Sequence, residues 1–298
     1  MCDDDTLADE ASRRSSGSAF SRRTFHALAA GTAAALVLPQ AATASSATVA
    51  VTGREVLVET PDGVADAFFV HPSEGRHPAV LVWPDILGLR PAFRQMGRRL
   101  AEAGYAVLVI NPYYRSAEAP VVGPGASFQD PEVRERVLPL ARSLTAATTD
   151  TDAEAFVSFL DAQDAVDTAR GIGTTGYCMG GPMVLRTAAL RPDRVAAGAT
   201  FHGSRLVTDG EDSPHRSIAD AEARFLIAIA ENDDERDPDA KHVLRDAFDA
   251  AGLTAEIEVY AGAMHGWCAL DSAVYDEAQA ERARERLLVL LEGALARG

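Results

Sequence analysis

Residues 171–185 read GIGTTGYCMGGPMVL. The first half is small and apolar, as in a buried strand, and from Met179 onward the apolar spacing is helical. Cys178 lies between the two halves, with Gly176 and Gly180 two positions to either side. A tight strand-to-helix turn strains the backbone of its central residue, so its neighbours must be small. G-x-C-x-G is therefore the thiol version of a nucleophile elbow. It lifts the side chain above the carboxyl edge of a sheet and aims the Met179 N–H at the same space, as half of an oxyanion hole. The helix N-terminus adds partial positive charge, which lowers a thiol pKa. The alternative is a buried structural cysteine beside a helix-packing glycine pair.

The flanking sequence supplies the sheet. AVLVWP at 79–84 and AVLVIN at 106–111 are continuous apolar runs, as expected of strands buried on both faces. VAAGATFHG, FLIAIA and AEIEVY continue the series after residue 194. REVLVET and VADAFFVHP, around Pro61-Asp62-Gly63, predict a hairpin before it. Helical spacing covers 91–103, 150–163, 179–189, 239–251 and 273–291. Strands alternating with helices predict an α/β fold with a mostly parallel, doubly wound sheet and helices on both faces. Residues 116–149, with the charged segment DPEVRERV, interrupt that rhythm and read as a small lid or insertion over the sheet. No repeat or interior linker divides the chain, so 45–298 reads as one domain.

Residues 1–44 read differently. Ser21-Arg22-Arg23-Thr24-Phe25 has the twin-arginine pattern. A mild apolar stretch from Ala27 to Leu38 and the small-residue run Ala42-Thr43-Ala44 follow it. That order predicts an export signal cleaved after Ala44, a twin-arginine translocase as transient partner, and a protein exported already folded. A disordered Ala-rich tail is the alternative. The net charge of -16 argues against nucleic acid or an anionic membrane surface as partner. No apolar run after residue 44 is long enough to span a bilayer. Of three cysteines, Cys2 leaves with the signal, and the remaining Cys178 and Cys268 are too few for a disulfide framework.

A nucleophile elbow calls for an acid and then a base after later strands. ENDDERDP, after FLIAIA, offers Asp233 or Asp234 on a loop that otherwise reads as a solvated cap. AGAMHGW, after AEIEVY, offers His265. Both stretches follow the carboxyl ends of strands, where α/β sites form. His202, in TFHG, could line such a site or cap its strand. Trp83, Tyr113, Tyr114 and Trp267 could wall it. No spacing fits a zinc or calcium motif, so no metal or cofactor is expected.

In GYCMGG, AENDDERDP, AGAMHGW and the segment VLVWPDILGLRPAFRQMGRRLAEAGYAVLVINPYYR, the chain resembles the dienelactone hydrolase family of α/β-hydrolases from about Val56 onward. The resemblance implies an α/β-hydrolase fold, with Cys178 as nucleophile, His265 as base and Asp233 as the orienting acid. Ile86 and Met179 would be the oxyanion donors. It also implies a thiol-modulating role for Asp85, where the family's namesakes carry a glutamate thought to keep the resting thiol neutral. Arg115 matches a basic position of the family, and Arg134 or Arg136 could supply a second. The position four residues after His265, arginine in the namesakes, is Ala269. One carboxylate anchor is thus missing, and a neutral ester or lactone becomes the favoured small-molecule substrate.

The expected chemistry is acyl transfer through a Cys178 acyl-enzyme. Two rivals use the same fold: a non-catalytic exported binding protein, and a thiol redox sensor pairing Cys178 with Cys268.

Overall fold

The computed structural model describes residues 49–296. The export signal expected at 1–44 lies outside the described residues. Eight strands form one sheet in the order β1-β2-β4-β3-β5-β6-β7-β8. β1 (Val51–Thr60) and β2 (Gly63–Pro72) are the hairpin around Pro61-Asp62-Gly63, and β2 joins β4 (Ala106–Ile110) antiparallel. From β4 the sheet is parallel through β3 (Ala79–Trp83), β5 (Ile172–Tyr177), β6 (Val195–Phe201), β7 (Arg224–Ala230) and β8 (Ala255–Tyr260).

The central strands are fully buried because both faces are covered. In β3, Leu81 and Trp83 enter the core under α3 (Ala146–Asp161), with Phe156, Val157 and Leu160. Val80 and Val82 face the opposite core, packed with Phe93 and Leu100 of α1 (Pro91–Glu102) and with Leu287 and Leu291 of α7 (Glu277–Ala294). Unbroken apolar runs are what such two-sided burial requires. α4 (Gly181–Leu190) follows β5, and α6 (Ala240–Ala251) packs Leu244 and Phe248 beside β7.

Several stretches depart from the sequence-based expectation, the last helix among them, which begins at Glu277 rather than 273. Within the interrupting segment, α2 (Pro131–Arg142) forms. α3 begins at Ala146 rather than 150, because Thr145 caps it: its Oγ1 accepts the Thr148 N–H at 3.2 Å while the Thr148 hydroxyl accepts the Thr145 N–H at 2.8 Å. This reciprocal capping box satisfies two donors that would otherwise be orphaned. ENDDERDP, expected as a loop, contains the short helix α5 (Glu231–Arg236).

Candidate active site

Cys178 follows β5 directly and opens a single 3-10 turn, Cys178–Gly180, before α4. Its φ is 50°, a left-handed value rare for a side-chain-bearing residue. The flanking glycines are required by close approach. A Cβ on Gly176 would lie 2.1 Å from the Gly180 carbonyl oxygen, and one on Gly180 would lie 2.3 Å from the carbonyl oxygen of Trp83. The turn can press against β3 only without those side chains.

The sulfur opens into a cavity of about 390 Å³. Asp85, Ile86 and Leu87 after β3 form one wall, His202 and His265 another, and Gly125–Asp130 of the interrupting segment a third. The Ser204 hydroxyl lies 3.6 Å from Sγ. His265 Nδ1 is 2.7 Å from Asp233 Oδ2, and the ring also hydrogen-bonds Cys178. Burial works against an imidazolium here. The charges of Asp233 and Cys178, with hydrogen bonds to both, outweigh it and hold the His265 pKa well above its ordinary value. Asn232 accepts the His265 backbone N–H at 2.8 Å, and Arg236 donates to Asp233 Oδ1 at 3.1 Å. Asp234, the other carboxylate left open by the sequence, is bound by Lys241 at 2.6 Å.

Ile86 lines the cavity, Met179 follows Cys178 in the 3-10 turn, and one hydroxyl ties the two together. Tyr113 donates to the Ile86 carbonyl at 2.8 Å and lies 3.3 Å from Met179 Sδ. The Asp85–Gly88 turn is closed by the Gly88 N–H on the Asp85 carbonyl and by the Leu87 N–H on Asp85 Oδ1, each at 2.9 Å.

Four expected site residues, Asp85, Arg115, Arg134 and Trp267, are placed otherwise than expected from the sequence. Both oxygens of Asp85 accept from Arg90, at 2.6 and 2.9 Å, so its carboxylate is committed to an arginine. Arg115 lies outside the cavity wall, donating to Asp62 and Asp152 at 2.6 and 2.7 Å, which corrects its expected role as a substrate anchor. Arg134 is also outside that wall and holds the Gln129 carbonyl at 3.0 Å. Trp267 is fully buried behind His202, stacked on Tyr260. Cys268 packs with Tyr177 and Phe201 in the core cluster on the α1/α7 face, whereas Cys178 belongs to the cluster on the other. Burial pushes the Cys268 thiol well up, which leaves it a poor redox partner.

Sequence reasoning missed Arg90. It is buried, clamps Asp85, and reaches Asp271 beyond the histidine loop at 2.8 Å. Burial opposes its charge, yet the Asp85 charge and hydrogen bonds to both carboxylates raise its pKa above the ordinary value. Arg90→Met should leave the Asp85 charge uncompensated in the turn after β3 and destabilise the fold by about 3 kcal/mol, since removing one partner strands a poorly solvated charge. Urea unfolding measures it; an unchanged midpoint would mean that Asp85 finds water.

A cysteine at a strand-to-helix turn, a carboxylate after β7 and a histidine after β8 are laid out as in an α/β-hydrolase. The profile of the Dienelactone hydrolase family matches residues 65–295, and the chain belongs to that family and is a hydrolase. It is 31% identical over 255 residues to a protein of Methylorubrum extorquens named "Putative carboxymethylenebutenolidase", covering 83% of this chain and 84% of that one. To the carboxymethylenebutenolidase of Rhodococcus opacus it is 27% identical over 206 residues, covering 67% and 75%. A solved structure from Klebsiella pneumoniae, titled "Putative Dienelactone Hydrolase", superposes with a TM-score of 0.69 at 25% identity, covering 81% of this chain and 98% of that one.

Proposed function

We propose that this chain hydrolyses neutral carboxylic esters or lactones through a Cys178–His265–Asp233 triad. The observation that carries it is the one cavity lined by Cys178, His265 and Ile86, with Asp233 on the far side of the imidazole. His265 takes the thiol proton, and the thiolate attacks the carbonyl carbon. The oxyanion is received by the N–H groups of Ile86 and Met179, each such donor contributing roughly 3 kcal/mol to the transition state. Collapse expels the alcohol, which takes its proton from His265. Water deprotonated by the same histidine then cleaves the thioester and releases the acid.

The charge of the wall supports a neutral substrate. Asp85, Asp130 and Asp271 face the cavity, and the arginine among them, Arg90, is already held by two of these carboxylates. A substrate carboxylate would meet net negative charge with its cation spent. With p-nitrophenyl butyrate and p-nitrophenyl hemisuccinate as probes, kcat/KM should favour the neutral ester by about 100-fold, the scale of a few kcal/mol of like-charge repulsion. Equal rates would remove the charge argument, and no hydrolysis of any ester or lactone would favour a binding protein.

For residues 1–44, the twin-arginine pattern followed by an apolar stretch and small residues supports export.

A further inference from the structure

The cavity holds a second histidine that the proposed acyl transfer does not use. His202 directly follows β6 with φ 42°, a left-handed backbone retained on a residue that is 1% exposed. Its ring packs edge-on against His265 at 4.9 Å and against Trp267 at 5.1 Å. Neither ring nitrogen makes a well-aligned hydrogen bond among the described residues, and the Cys178 thiol lies against the ring. Strain and a buried polar ring without a well-aligned partner persist together where the ring serves a site.

The charged neighbours decide what this ring can do. Asp233 lies across His265, while Asp85 and Asp271 are gripped by Arg90, and Asp130 stands at the lid side of the cavity. None of these carboxylates hydrogen-bonds His202 among the described residues. Burial, reinforced by the charge on His265, lowers the His202 pKa against the opposing pull of Cys178, so the ring stays neutral. A neutral imidazole carries one N–H, and a thiol sulfur accepts weakly whereas a thiolate accepts strongly.

We propose that His202 is a second hydrogen-bond donor to the Cys178 sulfur, so that the resting nucleophile is a thiolate paired with the His265 imidazolium rather than a thiol awaiting substrate. The proton moves from Sγ to the His265 ring nitrogen that does not face Asp233, and His202 donates to the sulfur without changing its own protonation. With both Asp85 oxygens committed to Arg90, that carboxylate is not free to keep a proton on the sulfur.

This inference rests on Cys178 being the nucleophile, but it is read without any ester. Iodoacetamide alkylation of the full chain is followed from pH 5 to 10 on the Cys178 peptide by mass spectrometry, so that Cys2 and Cys268 do not contribute. The wild-type midpoint should lie at or below about 7.5, against about 8.5 for a free thiol. His202→Leu should raise it by about one pH unit, and His202→Gln, which keeps an N–H, should restore part of that. His202→Asn suits the left-handed backbone while ending short of the sulfur, so it gives a folded test if the leucine variant does not fold. A folded Asn variant with an unchanged midpoint, or a wild-type midpoint near that of a free thiol, overturns the proposal. Loss of ester hydrolysis with the thiol midpoint still depressed would count against the proposed substrate and not against this contact.

Discussion

Cys178→Ala should lower kcat/KM for p-nitrophenyl butyrate by roughly 10^4-fold or more, since removing a nucleophile leaves only oxyanion and binding contributions. The variant should keep its fold. Alanine retains the Cβ already accommodated at φ 50°, adds nothing to the close contacts of Gly176 and Gly180, and removes a sulfur facing an open cavity. Circular dichroism and a thermal midpoint within a few degrees of wild type would show that the lost activity is chemical. Hydrolysis that survives the substitution would return the glycine-flanked turn to a structural role and leave Ser204, 3.6 Å from the sulfur, as the next nucleophile to test. A burst of p-nitrophenol equal to the enzyme concentration, present in wild type and absent in Cys178→Ala, would identify the thioester directly.

Much of this site was legible because each element announces itself locally. The apolar runs of β3 to β7 state two-sided burial, and the glycines around Cys178 state the closeness of α4 to β3. His265 stands in a short loop with no helical or strand pattern to explain it. What stayed hidden depends on pairing across the chain. Arg90 reads as the residue before a helix; nothing local shows that it meets Asp271, 181 positions away. Arg115 matched a basic position, yet Asp62 and Asp152, distant in sequence on either side, claim its guanidinium. His202 could be read only as lining or capping. Its direction follows from a left-handed backbone angle that residue identity does not specify. The helix at Glu231–Arg236 was obscured by a run of acids that reads as solvated loop, although acids in a first turn also favour a helix N-terminus.

Asp233→Asn should lower kcat by about 10^3-fold, less than the roughly 10^4-fold of a serine triad, because a thiol needs less help to ionise. The carboxylate 2.7 Å from Nδ1 fixes the tautomer that leaves the other nitrogen for Cys178. An amide can present N–H to that nitrogen instead, turning the proton to the wrong side. The pH profile distinguishes this from simple damage. Burial depresses the imidazolium and the Asp233 charge is the largest contribution opposing it, so removing that charge lowers the His265 pKa. The alkaline limb of kcat/KM, where imidazolium is lost as leaving-group acid, must then move to lower pH. Asp234→Asn should leave both kcat and that limb in place, since Asp234 is held by Lys241 at 2.6 Å and not by the histidine. Arg236, losing its partner in the first variant, contributes little of the effect: it is about a third exposed, where an ion pair is worth under about 1 kcal/mol. If Asp234→Asn instead carries the loss and the shifted limb, the orienting acid is Asp234, and the hydrogen bond between Asp233 and His265 is a bystander.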